Sequence, residues 1–237
     1  MKLPRLLLGW ALALCLVAGA ARAAEQDPHT APYLKTLERF DLKPTKESLG
    51  EYLRALHPTA ESAAHIARLV KNLGSESFFE REAALAELQR MPSLASEVVQ
   101  RAAKEGDPEV QWRARLVLSE AEGRQSEILY ATLAVIRGKK IAGLADEVLR
   151  TVPLLRQRHH RKLAGEALAA TVNAADLPRL REALGDSSPE LRTAAAAALP
   201  ALAADPADAE LAKLLNDANA GVQLEAAKGR APRGRAR

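Results

Sequence analysis

Residues 106–118 read GDPEVQWRARLVL and residues 187–199 read SSPELRTAAAAAL. In both, a capping residue is followed by Pro, Glu and an aliphatic residue, then by an alanine and a leucine at matching offsets. Asp107 and Ser188 fall where a side-chain oxygen can accept an orphan amide. Pro108 and Pro189 fall at the first helical position, where a missing N–H costs nothing, and Glu109 and Glu190 meet the positive helix end. Each phrase therefore predicts the start of a helix, and its recurrence predicts a repeated unit.

Extending the register outward supports this. The alanine recurs at Ala84, Ala114, Ala164, Ala195 and Ala226, in steps of 30, 50, 31 and 31 residues. Four residues later stand Leu88, Leu118, Leu168, Leu199 and Arg230; four earlier, Glu80, Val110, His160, Leu191 and Val222. Further back, the same frames hold Leu73, Ala103, Pro153, Leu184 and Leu215, preceded by Leu69, Val99, Leu149, Leu180 and Leu211. Only Glu80, Pro153, His160 and Arg230 break the small-or-apolar rule. Spacing by four within each block marks one face of a helix, and two blocks per frame make a helical hairpin. A small residue in every frame marks a close helix crossing. Ser77 with Glu80 reads as a capping box, and Gly74 and Gly185 read as left-handed helix stops. Strand-like alternation is absent, so the fold class is all-α.

The segments LVKNLGSESFFEREAALAELQRM, DPEVQWRARLVLSEAE and LPRLREALGDSSPELRTAAAAALPAL resemble HEAT-type repeats, in the short form of about 30 residues found in phycobilisome lyase subunits and in exported bacterial proteins. The resemblance implies an α-solenoid of helical hairpins in a right-handed superhelix, and says little about activity. In that family an Asp before the second helix and an Arg just inside it can bond neighbouring repeats. Here the Arg position reads Arg81, Gln111, Arg161, Arg192 and Gln223, so the ladder is expected to be incomplete.

The 50-residue step leaves room for one additional helix of about 14 residues with its own turn, and RQSEILYATLAVIRG at 124–138 fits it. Before the array, Pro32–Phe40 and Thr45–Leu56 read as two amphipathic helices, with Thr45 and Thr59 as caps. A stack needs covered ends, because each hairpin buries its apolar face only against a neighbour. The expected organisation is a signal peptide at 1–23, an N-terminal helical cap at 24–58, a repeat array at 59–227 and a basic disordered tail at 228–237.

The ends account for the basic balance. Residues 1–23 carry Lys2 and Arg5 before an apolar run from Leu6 to Ala20 and a small-x-small site at Ala21–Ala23, the pattern of a secretory signal. The run is shorter than a membrane span requires, which leaves an uncleaved anchor as the lesser alternative. Of 34 Lys+Arg and 30 Asp+Glu, three cations lie in that leader and five in the last ten residues, leaving 26 cations against 30 anions between. A nucleic-acid-binding body spreads positive charge over a face, and this one does not. The single cysteine, Cys15, lies in the leader, so disulfides and thiolate chemistry are not expected after its removal. The expected location is outside the cytoplasm, periplasmic or secreted.

The sequence offers little that looks catalytic. None of the five histidines has paired metal-ligand spacing, and no nucleophile-elbow, P-loop or dinucleotide motif occurs. No catalytic residue, metal or cofactor is expected. The densest local feature is RQRHHRK at 156–162, beside the irregular step. Positive charge is unfavourable at a helix start, which makes Arg156, Arg158, His159, Arg161 and Lys162 the candidate partner-binding residues. Phe78, Phe79 and Trp112 are expected to fill the core between repeats, the alternative being exposed anchors on the concave side. The reading is an exported, non-catalytic scaffold for another protein. The alternatives are an enzyme accessory like the lyase subunits, by resemblance, and a nucleic-acid-binding solenoid.

Overall fold

The computed structural model describes residues 29–57, 59–91, 97–202 and 204–231; the segment 1–23 expected to be a signal peptide and residues 232–237 of the expected tail lie outside them. The helices are α1 (Ala31–Arg39), α2 (Lys46–Ala55), α3 (Ala60–Asn72), α4 (Phe78–Arg90), α5 (Glu97–Glu105), α6 (Pro108–Lys139), α7 (Ala145–Thr151), α8 (Arg158–Thr171), α9 (Leu177–Leu184), α10 (Pro189–Ala198), α11 (Ala204–Leu214) and α12 (Ala220–Arg230). Short 3-10 turns at Val152–Leu154, Ala174–Asp176 and Leu199–Ala201 extend or precede helices, and the described residues contain no strand. The fold is an all-α solenoid.

The alanine column holds throughout. Ala84, Ala114, Ala164, Ala195 and Ala226 are all buried, one on each second helix of a hairpin. Successive second helices α8, α10 and α12 pack in series, with the first helices α7, α9 and α11 behind them. Helices α8 and α10 approach each other closely. A Cβ placed on Gly165 would lie 3.2 Å from the Cβ of Ala197, and α10 buries Ala194, Ala195, Ala196 and Ala198. Small side chains let the two backbones approach.

The 50-residue step is resolved differently from the sequence expectation. No turn separates the second helix of the second repeat from the extra helix. Both are α6, a single helix of 32 residues about 48 Å long. Its first half buries a narrow stripe, Val110, Arg113, Ala114, Val117 and Ala121; its second half buries Ile128, Leu129 and every residue from Ala131 to Ile136. A helix apolar all round must be enclosed on all sides. The exposed or half-exposed run Glu122–Glu127 lies between these halves.

The core is correspondingly divided. One cluster runs from Ile66 to Ala121 and draws on α3, α4, α5 and the first half of α6. The other takes the second half of α6 and all that follows, together with Leu37, Leu49, Tyr52, Leu53 and Leu56 from α1 and α2. The two N-terminal helices thus bury their apolar faces in the second stack, not against the first repeat they precede in sequence. Helix α1 packs on α6 and α2 on α7. Arg54 bonds Glu147 at 2.5 Å, and Arg39 pairs with Glu127. The reason is the all-round apolar segment 128–136, which needs more cover than α8 alone supplies.

Capping follows the sequence in part. Thr45, Thr59, Asp107 and Ser188 accept the expected first-turn amides. Ser77 makes no side-chain cap bond; instead Ser75, two residues earlier, accepts the Ser77 amide at 3.1 Å and donates to Glu80 at 2.5 Å. Gly74 and Gly185 are not left-handed, since the only glycine with positive φ among the described residues is Gly143.

Gly123 sits in the middle of α6 with nothing within 4 Å of a Cβ built on it. Gly123→Ala is therefore expected to stabilise the protein by about 0.5–1 kcal/mol, and Gly123→Pro to cost about 3 kcal/mol by breaking the helix. Denaturant melts of the two variants check this; tolerance of proline would place a flexible joint here. At the α8–α10 crossing, Ala195→Phe is expected to cost roughly 2 kcal/mol or more by overpacking, read as a lowered midpoint in the same melts.

Candidate functional site

Each hairpin is closed by one side chain four residues inside its second helix. Arg81 donates to the carbonyls of Ser75 and Glu76, Arg161 to those of Leu155 and Arg156, and Arg192 to those of Asp186 and Ser187. Gln111 and Gln223 do the same from their carboxamides, to Gly106 at 2.8 Å and Asp217 at 2.7 Å. The series is complete in this role, because glutamine reaches the same turn carbonyls. The bond between repeats is confined to one step among the described residues: Arg192 grips Asp217 with two bonds of 2.9 Å. With the Asn219 amide, that pairing holds the Asp217 carboxyl below the usual carboxylate range. Elsewhere neighbours are tied by other pairs. Buried Arg113 of α6 bonds Glu82 of α4 at 2.7 Å, and Arg179 bonds Asp146 at 2.6 Å.

These roles account for much of the basic stretch. Arg161 is the turn clamp just described. Arg156 pairs with Glu122 at 2.9 Å and Lys162 with Glu166 at 3.6 Å. His159 lies against the rings of Tyr130 and His160, at 5.6 and 4.4 Å between centroids. Of the five candidates, Arg158 alone has no partner among the described residues, and it is exposed.

What the stretch borders is more informative. Gln157, the cap residue before α8, makes no side-chain cap bond, and the first turn of α8 holds no acid. The turn before it and the exposed middle of α6 enclose a cleft of about 290 Å³. Leu118, Ala121, Leu129, Pro153, Leu154 and Leu155 supply its apolar surface, and Gln100, Gln125, Ser126, Gln157 and His160 its neutral polar groups. Glu122 and Arg156 join across it. The cleft lies where the core is divided, with Leu118 on one side of the gap in α6 and Leu129 on the other. Two of the four residues that break the repeat columns, Pro153 and His160, line it. Their coincidence in one frame, beside a glutamine at the cap position, is the sequence signal that marks the place.

His160 is only 5% exposed. Burial and then the neighbouring His159 push its imidazole below the ordinary range, so it is neutral at pH 7. Its ring lies 5.2 Å from that of Tyr130, and it makes no hydrogen bond among the described residues. His57 is lowered likewise by burial and by Arg150, against a smaller opposing effect of Asp146. No group of three or more His, Cys, Asp or Glu among the described residues gathers as a metal site.

The aromatic expectation is corrected. Phe78, Phe79 and Trp112 do not fill the core; they are 58%, 84% and 57% exposed. At about 100° per residue they lie roughly 120°, 220° and 160° around their helices from the buried alanine, on the outward side. Leu224, also exposed, holds in α12 the position of Trp112 in α6.

Paired helices stacked in register, with a clamp in every turn, define an α-solenoid of helical-hairpin repeats. The HEAT repeat family model matches residues 177–205, which span α9, α10 and the 3-10 turn after it. Residues 177–205 are thus a HEAT repeat, and the same register carries through the other frames. No curated protein matches the chain. Among the described residues no helix is long and apolar enough to cross a membrane.

Buried His160 and half-buried His57 give the structure a pH dependence. An unfolded histidine titrates near pH 6.5, whereas His160 and His57 titrate lower when folded. Their contribution is full above about pH 6.5 and declines as pH falls below it, because only the unfolded chain takes up the protons. The melting temperature is expected to drop between pH 7.5 and 5.0, and to drop less in His160→Gln, as thermal melts at the two pH values would record.

Proposed function

We propose that this protein is an exported, non-catalytic solenoid that binds another protein. Stacked helical repeats present extended surfaces, and HEAT repeats commonly serve protein–protein interaction. The observation that carries the reading here is the outward exposure of Phe78, Phe79 and Trp112 on consecutive second helices of the first stack. Large aromatic side chains in water are costly to keep and are the residue types that anchor interfaces. Buried Arg113 bonds Glu82 and Glu109 beneath Trp112, so these anchors stand on a fixed polar base. Arg158, exposed and unpartnered among the described residues, adds a positive contact at the other stack. Export rests on the leader-like first 23 residues alone.

The test is in two parts. Fractionation of cells expressing the full chain should place it outside the cytoplasm, shortened at the N-terminus; cytosolic retention overturns the export reading. Affinity capture with cross-linking should then recover a protein lost from Phe79→Ala/Trp112→Ala but retained by the wild type. Both substitutions remove exposed side chains and should leave the melting temperature nearly unchanged. Equal capture by wild type and variant would remove the aromatic face from the interface.

A further inference from the structure

The cleft at the division between the two stacks gathers neutral polar side chains. Five hydrogen-bonding side chains, Gln100, Gln125, Ser126, Gln157 and His160, line it, and none has a side-chain hydrogen-bond partner among the described residues. Polar groups in a folded protein are ordinarily paired with protein or water. Several unpaired ones converging on a single concavity mark a place where a ligand can exchange water for better-aligned bonds. His160 is the least accessible of them, nine-tenths buried, and presents a neutral ring.

The lining selects among ligand classes. Glu122 and Arg156 satisfy each other at 2.9 Å, which leaves no uncompensated charge within the cleft to hold an ion. No aromatic side chain other than the His160 ring lines it, so a flat base or sugar ring finds little to stack on. A carboxamide side chain carries an acceptor and two donors, complementary to the C=O and N–H of a peptide unit. Leu118, Leu129 and Leu154 give an aliphatic floor between the carboxamides. The volume, about 290 Å³, is at the small end for ligand clefts and suits a few residues, not a folded domain. The ion pair over it is exposed, and such pairs contribute at most about 1 kcal/mol, so it can part on entry.

We propose that this cleft binds a short, extended, uncharged peptide segment of a partner protein. Gln125, Gln157 and Gln100 pair its main-chain amides, and an aliphatic side chain of the peptide rests on Leu118, Leu129 and Leu154. The proposal rests on the protein-binding reading above but uses a surface separate from Phe78, Phe79 and Trp112.

The experiment is selection of displayed random octapeptides on the full chain, followed by titration of the enriched sequences as synthetic peptides. Enriched peptides should share an uncharged core with one aliphatic residue. Binding should weaken at least tenfold in Gln125→Leu/Gln157→Leu, whose side chains are not buried, and to the same extent when the core peptide amides are N-methylated. It should be unaffected in Phe79→Ala/Trp112→Ala. Ser126→Arg, which fills the cleft, is the second variant should the double glutamine substitution shift the melting temperature. No enrichment, enrichment of charged peptides, or binding insensitive to both cleft variants and to N-methylation overturns the proposal. Loss of captured partner in the aromatic variant together with any of those results would leave the protein-binding reading standing and this cleft excluded from it.

Discussion

The structure depends on the alanine methyl at the crossing of each second helix. A solenoid has no central core; every hairpin is stable only in so far as its neighbour lies close enough to cover it. Ala84, Ala114, Ala164, Ala195 and Ala226 set that distance, and all are buried. The surrounding leucines supply apolar area, but they gain it only because the backbones are allowed near. The turn clamps act on the other end of each hairpin. By tying a side chain at the fourth helical position to carbonyls five and six residues earlier, they fix the angle at which the chain enters its second helix. Crossing distance and entry angle together determine where the next unit sits.

The long helix α6 shows what happens when one unit departs from this rule. Its second half has apolar side chains on every side, so it needs partners all round. Helix α8 covers one side, and α1 another, while α2 docks beside them on α7. The exposed stretch between its halves is where neither stack can supply cover, and the cleft forms there. Division of the core and concentration of unpaired carboxamides are two outcomes of the same local geometry. The protein-binding proposal and the peptide proposal accordingly concern different parts of the molecule: an outward aromatic face on the first stack, and a neutral notch between the stacks.

Much of this was legible in the residues. The alanine column, the capping residues Thr45, Thr59, Asp107 and Ser188, and the burial of Leu69, Val99, Leu149, Leu180 and Leu211 follow from spacing alone, since the helical period is fixed by the backbone. Three features were not legible. The turn expected before the extra helix at 124–138 does not form, because burial on both sides of Gly123 outweighs the cost of one glycine within a continuous helix. Helices α1 and α2 dock on a partner nearly a hundred residues away, and amphipathic pattern indicates a buried face without naming what buries it. Phe78, Phe79 and Trp112 were expected inside on hydrophobicity, yet their helical positions lie opposite the buried alanine; angular position, taken before residue type, would have placed them outside. In the candidate site, the charges of RQRHHRK drew notice, but most are spent on Glu122, Glu166 and turn carbonyls. The informative residues were the quieter ones, Pro153, Gln157 and His160.

The docking of α1 and α2 also bears on the order in which the molecule can assemble as it leaves the ribosome. Hairpins such as α3–α4 and α5–α6 join neighbours in sequence and can close as soon as they emerge. The contact between Arg54 and Glu147 spans 93 residues, so α2 must wait, with its leucines uncovered, until α7 arrives. Closing so large a loop is slow compared with local pairing, and exposed apolar helices are the species that aggregate or attract chaperones. The N-terminal pair, first to be made, is thus among the last to find its place.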